Sequence, residues 1–109
     1  MYNQTVNEGK TIAIVSYLTI IGTVIAFIMN QKKQNSFASF HIRQSIGIGL
    51  LSFVISFITR FTYFNWIDNL MWLGVFAFWV IGLIGAAQGE ERKIPLLGDQ
   101  FQEWFKNIG

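Results

Sequence analysis

The chain has 109 residues, of which 52% are hydrophobic and 13% charged, with a net charge of +2 and no cysteine. A soluble domain carries about 25% charged residues, so this chain lacks the polar surface that a water-facing protein needs. The small net charge argues against nucleic acid as a partner, and the missing cysteines exclude disulfides, thiol nucleophiles and thiolate metal sites.

Three uncharged apolar runs take up more than half of the sequence; they are residues 11–31, 44–59 and 69–89. A helix rises about 1.5 Å per residue, so about 20 residues cross the ~30 Å hydrocarbon core of a bilayer. The first and third runs have 21 residues each, whereas the second has 16 and must begin near Phe40 to span. We therefore predict an all-α membrane protein with a single transmembrane domain, residues 1–109, and three transmembrane helices at about 11–30, 40–59 and 69–89.

The basic residues predict an orientation for these three spans. Two of them, Lys10 and Arg60, flank one side of the membrane, and six flank the other side: Lys32, Lys33, Arg43, Arg92, Lys93 and Lys106. Short loops rich in Lys and Arg stay in the cytoplasm. The count predicts a multi-pass protein of the bacterial inner membrane, with the N-terminus outside and the C-terminus in the cytoplasm.

Each predicted span also carries small residues at spacings of three or four. The stripes are Ser16, Thr19, Gly22 and Ala26; then His41, Ser45, Gly49, Ser52, Ser56 and Thr59; then Gly82, Gly85 and Gly89. Such stripes favour close helix packing in membranes, within the chain or between copies. Trp79 falls near the middle of the third span, where it either faces a neighbouring helix or lines a groove.

The polar residues that open the second span are the main candidates for interaction. Phe37, His41 and Gln44 share one helical face, and Arg43 lies beside it near a helix N-terminus, where a cation is disfavoured. We expect Arg43 to pair with Glu90 or Glu91, or else to reach lipid phosphate. Because His41 is the only histidine and a metal needs several ligands, we interpret it as a structural polar residue and predict no metal site.

After the third span, a charged turn ends at Pro95 and an apolar stripe follows. The stripe consists of Leu97, Phe101, Trp104, Phe105 and Ile108, and Asp99 with Gln102 resembles a capping box. The pattern predicts a C-terminal amphipathic interfacial helix over about 99–108 that lies flat in the headgroup region. Docking onto the protein's own spans is the alternative.

Three motifs carry a family resemblance: SYLTIIG in the first span, FASFHIRQS at the start of the second, and AAQGEERKIPLLG after the third. The sequence resembles small uncharacterised bacterial membrane proteins grouped with the twenty-kilodalton Tic subunit of chloroplast inner-envelope import, from about Ser16 to Gly98. The resemblance implies a helical inner-membrane protein and, by distant analogy, a component of a protein-translocation or membrane-assembly complex. The chloroplast subunit has four spans, whereas this chain offers three and the tail.

These observations favour a non-catalytic membrane subunit or scaffold, with no cofactor. Its expected partners are membrane lipid and other membrane proteins or copies of itself. A holin-like pore former and a small transporter or channel are the alternatives, and His41 with Ser45 one turn away is a weak signal for an enzyme. The candidate interaction residues are His41, Arg43, Gln44, Glu90, Glu91, Pro95, Phe101, Trp104 and Phe105.

Overall fold

The computed structural model describes residues 4–61 and 65–108, which form five helices. These are α1 (Gln4–Leu18), α2 (Ile20–Lys33), α3 (Ser36–Thr59), α4 (Asn65–Gln88) and α5 (Gly98–Trp104). By length and composition, α3 and the Trp66–Gln88 part of α4 are candidate membrane spans. The all-helical prediction is confirmed for the described residues, whereas three transmembrane helices are not confirmed.

The predicted first span is divided at Thr19. This residue is extended, with φ −158° and ψ 175°, and its hydroxyl oxygen accepts the Gly22 N–H at 3.0 Å as the N-cap of α2. Threonine competes for backbone N–H groups in this way, which is why it favours helix starts over helix interiors. Gly22 permits the sharp reversal, since a Cβ there would lie 2.4 Å from the Val15 carbonyl oxygen.

The two halves of the divided run, α1 and α2, form an antiparallel hairpin. Next to the break, the Thr23 hydroxyl donates to the Ser16 carbonyl at 2.7 Å. Farther away, Ile12 and Ala26 belong to one buried cluster. At the open end, the Asn35 amide donates to the Thr5 carbonyl at 2.8 Å. The chain therefore returns to the end from which α1 started.

Helices α3 and α4 are antiparallel to each other, and α1 packs against both. The start of α1 contacts Asn35 at the start of α3, and His41 in α3 contacts the Glu90 carbonyl just after α4. This end of the molecule holds seven of the eight basic residues, and we call it the basic end; the residues are Lys10, Lys32, Lys33, Arg43, Arg92, Lys93 and Lys106. Arg60, after α3, lies at the far end.

This arrangement does not support the predicted placement of the two chain ends on opposite sides. Thr5 near the start of α1 and the whole of α5 both lie at the basic end, because the break at Thr19 reverses the first apolar run. Lys10, which the three-span prediction placed on the outer side with Arg60, thus lies at the same end of the molecule as the six other basic residues.

The packed core is concentrated at the basic end. Eleven residues of α3 are buried, and all except Ile55 lie between Phe37 and Ile48. In the far half of α3, Phe53 and Phe57 are 71% and 60% exposed. Large apolar side chains exposed over that half are typical of a surface in contact with lipid.

Candidate functional site: a buried polar cluster at the basic end

Three side chains from two helices meet in the core of the basic end: Tyr17 of α1, and His41 and Gln44 of α3. Their exposures are 3%, 0% and 0%, respectively. His41 and Gln44 are three residues apart and so share a helical face with Phe37, as the sequence predicted. The Phe37 ring lies edge-on to the His41 ring, with centroids 4.8 Å apart. We call Tyr17, His41 and Gln44 the polar cluster.

Gln44 ties the polar cluster to the segment that follows α4. Its Nε2 donates to the Tyr17 hydroxyl at 2.9 Å and to the Arg92 carbonyl at 3.0 Å. Its Oε1 accepts the Ile94 N–H at 2.9 Å. These contacts leave only one orientation of the amide group, because a carbonyl cannot donate and a backbone N–H cannot accept.

The same reasoning fixes the tautomer of His41. Its Nε2 lies 2.8 Å from the Glu90 carbonyl oxygen, which can only accept, so Nε2 carries a proton. Nδ1 then accepts from the Tyr17 hydroxyl at 2.6 Å, while the Tyr17 oxygen accepts from Gln44. The neutral ring thus links α1, α3 and the segment after α4. No group of three His, Cys, Asp or Glu side chains suited to a metal occurs within residues 4–61 and 65–108.

A second set of polar residues holds the junction between α2 and α3. Asn30 accepts the Asn35 N–H at 2.9 Å and donates to the Ser39 hydroxyl at 2.9 Å. The Asn35 side chain caps α3 by accepting the Ala38 N–H at 3.0 Å and also reaches Thr5. These residues are not among those predicted from the sequence, although Asn35 directly before a long apolar helix is a typical N-cap signal.

The helix break at Thr19 has its own partners for the freed carbonyl groups. The Thr23 hydroxyl donates to the Ser16 carbonyl, and the Trp79 indole N–H of α4 donates to the Tyr17 carbonyl. A helix break inside a bilayer would require such internal partners, because hydrocarbon offers none. Trp79 therefore faces a neighbouring helix and also lines a cavity of about 150 Å³ beside the break.

The predicted ion pair between Arg43 and Glu90 or Glu91 is wrong. Arg43 instead donates from Nε to the Ile108 carbonyl at 2.8 Å and from a terminal nitrogen to the Lys106 carbonyl at 2.9 Å. Glu90 pairs with Arg92 at 2.5 Å. The physical reason is that α5 folds back over α3, so carbonyl oxygens at its C-terminal side, which carry partial negative charge, lie closer to the guanidinium.

Helix α5 packs on α3, which is the alternative that the sequence left open, and it ends earlier than the predicted 99–108. Phe101 is 4% exposed and covers Gly47, where a Cβ would lie 2.3 Å from its ring. Gln102 donates to the Phe40 carbonyl at 2.9 Å, so the predicted capping box with Asp99 does not form. Phe105 is half-buried, whereas Trp104 remains 62% exposed.

Pro95 lies in the turn between α4 and α5, which brings α5 against α3. Its carbonyl accepts the Leu97 N–H at 2.8 Å, and Leu96 between them has a φ of 70°. Ile94, directly before the proline, is the residue whose N–H binds Gln44. The turn is therefore anchored on one side by the polar cluster and on the other by Phe101.

The small-residue stripes prove to be contacts within the chain at several positions. The Ser16 and Ser45 hydroxyls lie 2.9 Å apart between α1 and α3. A Cβ at Gly82 would lie 2.6 Å from the Tyr17 ring, so this glycine lets α1 approach α4. At Gly49, in contrast, such a Cβ would have no neighbour within 4 Å from the rest of the described chain.

Comparison with known proteins agrees with a membrane location. The chain is 29% identical over 90 residues to the UPF0132 membrane protein MJ1443 of Methanocaldococcus jannaschii, covering 78% of this chain and 76% of that protein. It is 24% identical over 82 residues to the UPF0132 membrane protein MJ1527 of the same organism, covering 71% of this chain and 56% of that protein. No solved structure matches.

The resemblance to the chloroplast import subunit is not supported by these comparisons, which show no link to it. The family match instead covers residues 8–101, from the second turn of α1 into α5. It thus includes the hairpin from residue 8 onward, both candidate spans and the whole polar cluster. The chain belongs to the magnetosome magnetite crystal formation protein family, a family of small membrane proteins.

Proposed function

We propose that this protein is a non-catalytic integral membrane protein that serves as a scaffold or subunit of a membrane assembly. The observation that carries the proposal is the closed hydrogen bonding of the polar cluster. Both N–H groups of Gln44, the His41 Nε2–H and the Tyr17 hydroxyl all have acceptors inside the chain. A buried cluster whose hydrogen bonds close within the chain in this way holds the segments together, and its side chains, 0–3% exposed, lie away from the surface where a substrate would bind.

The surfaces left for function are therefore the exposed ones. Apolar side chains cover the outer faces of α2, α3 and α4; among the most exposed are Ile20, Ile21, Phe53, Leu73 and Trp66. In lipid such faces mediate helix association by close packing. The family description refers to magnetite crystal formation, and the two archaeal relatives are named only as membrane proteins. For this chain we therefore propose a structural role within the membrane and no role in crystal formation.

We further propose that α3 and α4 span the membrane while the α1–α2 hairpin enters and leaves it from the basic end. That end faces the cytoplasm in this proposal, because it carries seven of the eight Lys and Arg residues. The three-span arrangement places only six of these eight residues on the cytoplasmic side and two on the outer side. The two-span arrangement therefore satisfies the positive-inside rule more fully.

Site-specific photo-crosslinking in the native membrane tests the scaffold role. A benzophenone amino acid would replace Phe57, Leu73 or Trp104, which are 60%, 62% and 62% exposed and lie on three different helices. We expect defined protein–protein products from at least one face, after irradiation only. Products with lipid alone from all three faces would contradict the scaffold role, and dye release from reconstituted vesicles would favour the holin-like alternative.

A further inference from the structure

We propose that the half-depth hairpin makes this protein a wedge that favours membranes curved convexly toward the basic end. The inference rests on the two-span topology proposed above and adds a physical activity to it. The ligand is the lipid bilayer itself, recognised through its curvature. Three features carry the argument: the depth of the hairpin, the unequal cross-section of the two halves, and the apolar character of the hairpin tip.

The depth of the hairpin follows from its contacts with α4 and α3. The Tyr17 carbonyl is bound by Trp79, nine residues before Gln88 at the end of α4, which corresponds to about 14 Å of helix rise. The residues around the break line one cavity together with Gly49 and Ser52 of α3. From Ser52 to the end of α3 at Thr59 there are seven residues, or about 10 Å of helix rise. Against a hydrocarbon core of ~30 Å, the hairpin stops near the middle.

The two halves of the molecule therefore differ in width. In the leaflet at the basic end, α1, α2, α3 and α4 lie side by side, and α5 packs against α3 there. Beyond the break, only α3 and α4 continue among the described residues. Since each helix is about 10 Å across, one leaflet accommodates roughly twice the protein cross-section of the other.

The burial of side chains shows the same asymmetry. Buried residues of α3 are almost all on its first half, whereas Phe53 and Phe57 on its second half are largely exposed. On α4, Leu70 and Leu73 are 58% and 62% exposed. The space beside the far halves of these helices is thus bounded by apolar side chains, and in a bilayer the lipid tails of the opposite leaflet fill it.

The tip of the hairpin is built to face hydrocarbon. Leu18, Ile20 and Ile21 are 55%, 76% and 72% exposed there. The carbonyls of Ser16 and Tyr17 already have partners in Thr23 and Trp79, so these backbone acceptors do not need water. An apolar cavity of about 320 Å³ between α2 and α3, lined by Ile20, Val24, Ile46, Leu50 and Phe53 among others, adjoins the tip.

A protein that occupies more area in one leaflet expands that leaflet. The strain is relieved when the expanded leaflet lies on the convex side of a curved membrane, as with amphipathic helices inserted from one side. The protein should accordingly concentrate where the leaflet at the basic end is the convex one. Molecules inserted in the opposite orientation should be depleted from the same place, because they expand the concave leaflet.

Sorting between flat and tubular membrane tests this inference on the full-length chain. The protein carries a C-terminal tag and is reconstituted into giant vesicles of phosphatidylcholine and phosphatidylglycerol, from which thin tubes are pulled. A membrane-impermeant dye added outside labels the molecules with the basic end outward. In a parallel sample, all molecules are labelled beforehand and an external quencher leaves only those with the basic end inward.

We expect the tube-to-vesicle ratio of protein to lipid fluorescence to exceed one for the outward molecules and to rise as the tube narrows. The ratio for the inward molecules should fall below one. Equal ratios for the two populations would overturn the wedge. The two orientations of one protein are each other's control, so no folding defect can explain a difference between them.

The topology is checked separately by labelling single cysteines, introduced at positions 7 and 100, with an impermeant maleimide. Labels at Asn7 and Gln100 on opposite membrane sides would overturn the two-span topology and the wedge with it. Labels on the same side together with equal sorting would overturn the wedge alone. Gly74→Ala serves as a lipid-facing control, since no described residue outside its own stretch of helix lies within 4 Å of the added Cβ, and it should sort like the wild type.

Discussion

The side-chain oxygen of Gln44 in α3 accepts the backbone N–H of Ile94, fifty positions later in the chain, at 2.9 Å. This bond fixes the segment between α4 and α5 against the middle of the basic end. Through its nitrogen, the same amide also holds Tyr17 of α1 and the Arg92 carbonyl. One buried side chain therefore connects the hairpin, a candidate span and the C-terminal segment.

Replacing this amide by a hydrocarbon of similar size should destabilise the protein clearly. Gln44→Leu leaves the Ile94 N–H and the Arg92 carbonyl without their side-chain partner. A buried polar group without a partner costs about 1–3 kcal/mol, so we expect a loss of about 2–4 kcal/mol in the free energy of unfolding. Thermal unfolding in detergent micelles, followed by circular dichroism, measures it.

Gln100→Leu is the matched control for this experiment, since Gln100 is exposed on α5. It should leave the unfolding midpoint close to that of the wild type. If Gln44→Leu unfolds at the same temperature as Gln100→Leu, the polar cluster does not hold the basic end together.

The hydrogen bond between Tyr17 and His41 should appear as an energetic coupling between the two residues. Each of Tyr17→Phe and His41→Phe removes one partner of the 2.6 Å bond, and the double variant removes both. The loss in the double variant should be smaller than the sum of the single losses, by about 0.5–3 kcal/mol. Denaturant titration of the four proteins completes the cycle.

A second cycle serves as its control. Phe57 lies in the far half of α3 and is 60% exposed, so Phe57→Leu combined with Tyr17→Phe should give additive losses. Additive losses in the Tyr17–His41 cycle as well would mean that the bond contributes nothing to stability.

The docking of α5 should depend on the absence of a side chain at position 47. Gly47→Ala places a Cβ about where the Phe101 ring lies, with the nearest ring atom at 2.3 Å, so Phe101 must leave its place on α3. We expect the C-terminal segment to become sensitive to proteolysis and the fluorescence of Trp104 to change. Limited proteolysis in detergent with mass spectrometry of the fragments measures the first effect.

Gly49→Ala provides the comparison on the same helix, because a Cβ at this position has no neighbour within 4 Å from other parts of residues 4–61 and 65–108. It should leave α5 as resistant as in the wild type. A second test combines Gly47→Ala with Phe101→Ala, which removes the clash; the backbone of α5 should then regain part of its protection. Equal protease sensitivity of the two single variants would contradict the proposed docking.

The sequence predicted those parts of the fold that depend on neighbouring residues, and it failed where a contact joins residues far apart in the chain. The runs at 44–59 and 69–89 predicted α3 and α4, because uniform apolar composition is a local property. The first run has the same composition, but its break depends on Trp79, some sixty positions away, to bind a freed carbonyl. Hydropathy averaged over the run contains no such information. The Thr19 and Gly22 pair was visible only as part of a packing stripe.

The candidate site shows the same limit. The shared face of Phe37, His41 and Gln44 was predicted from helical spacing, and the structure places all three in the core. Their partners Tyr17, Glu90 and Ile94 come from other segments and carry no pattern that points to α3. Charge alone predicted an ion pair between Arg43 and Glu90 or Glu91. Because α5 folds back onto α3, Arg43 instead donates to backbone carbonyls that follow α5.

Charge exchange at these positions distinguishes the two arrangements. Arg43→Glu removes two hydrogen bonds to the carbonyls of Lys106 and Ile108, which are exposed, so we expect a loss of about 0.5–1.5 kcal/mol. Adding Glu90→Lys should not restore stability, because Glu90 pairs with Arg92 and its loss breaks that pair. Thermal unfolding of the single and double variants decides; recovery in the double variant would show that Arg43 and Glu90 pair after all.

The membrane topology can be tested directly because the chain has no cysteine of its own. Asn7→Cys near the start of α1, Gln100→Cys in α5 and Phe61→Cys after α3 each introduce one thiol at an exposed position. Cells and inverted membrane vesicles that contain each variant are treated with an impermeant maleimide. The hairpin requires Asn7 and Gln100 to react from the same side, whereas Phe61 should react only from the other side.

The label at position 7 separates the two topologies, since a three-span chain would expose it together with position 61. The structure favours the hairpin, because the Asn35 side chain holds the Thr5 carbonyl at the basic end and Thr19 caps the start of a separate helix, α2. Labelling of position 7 in inverted vesicles and not in intact cells would place the start of α1 in the cytoplasm beside α5. The opposite result would mean that α1 and α2 join into one spanning helix in the membrane.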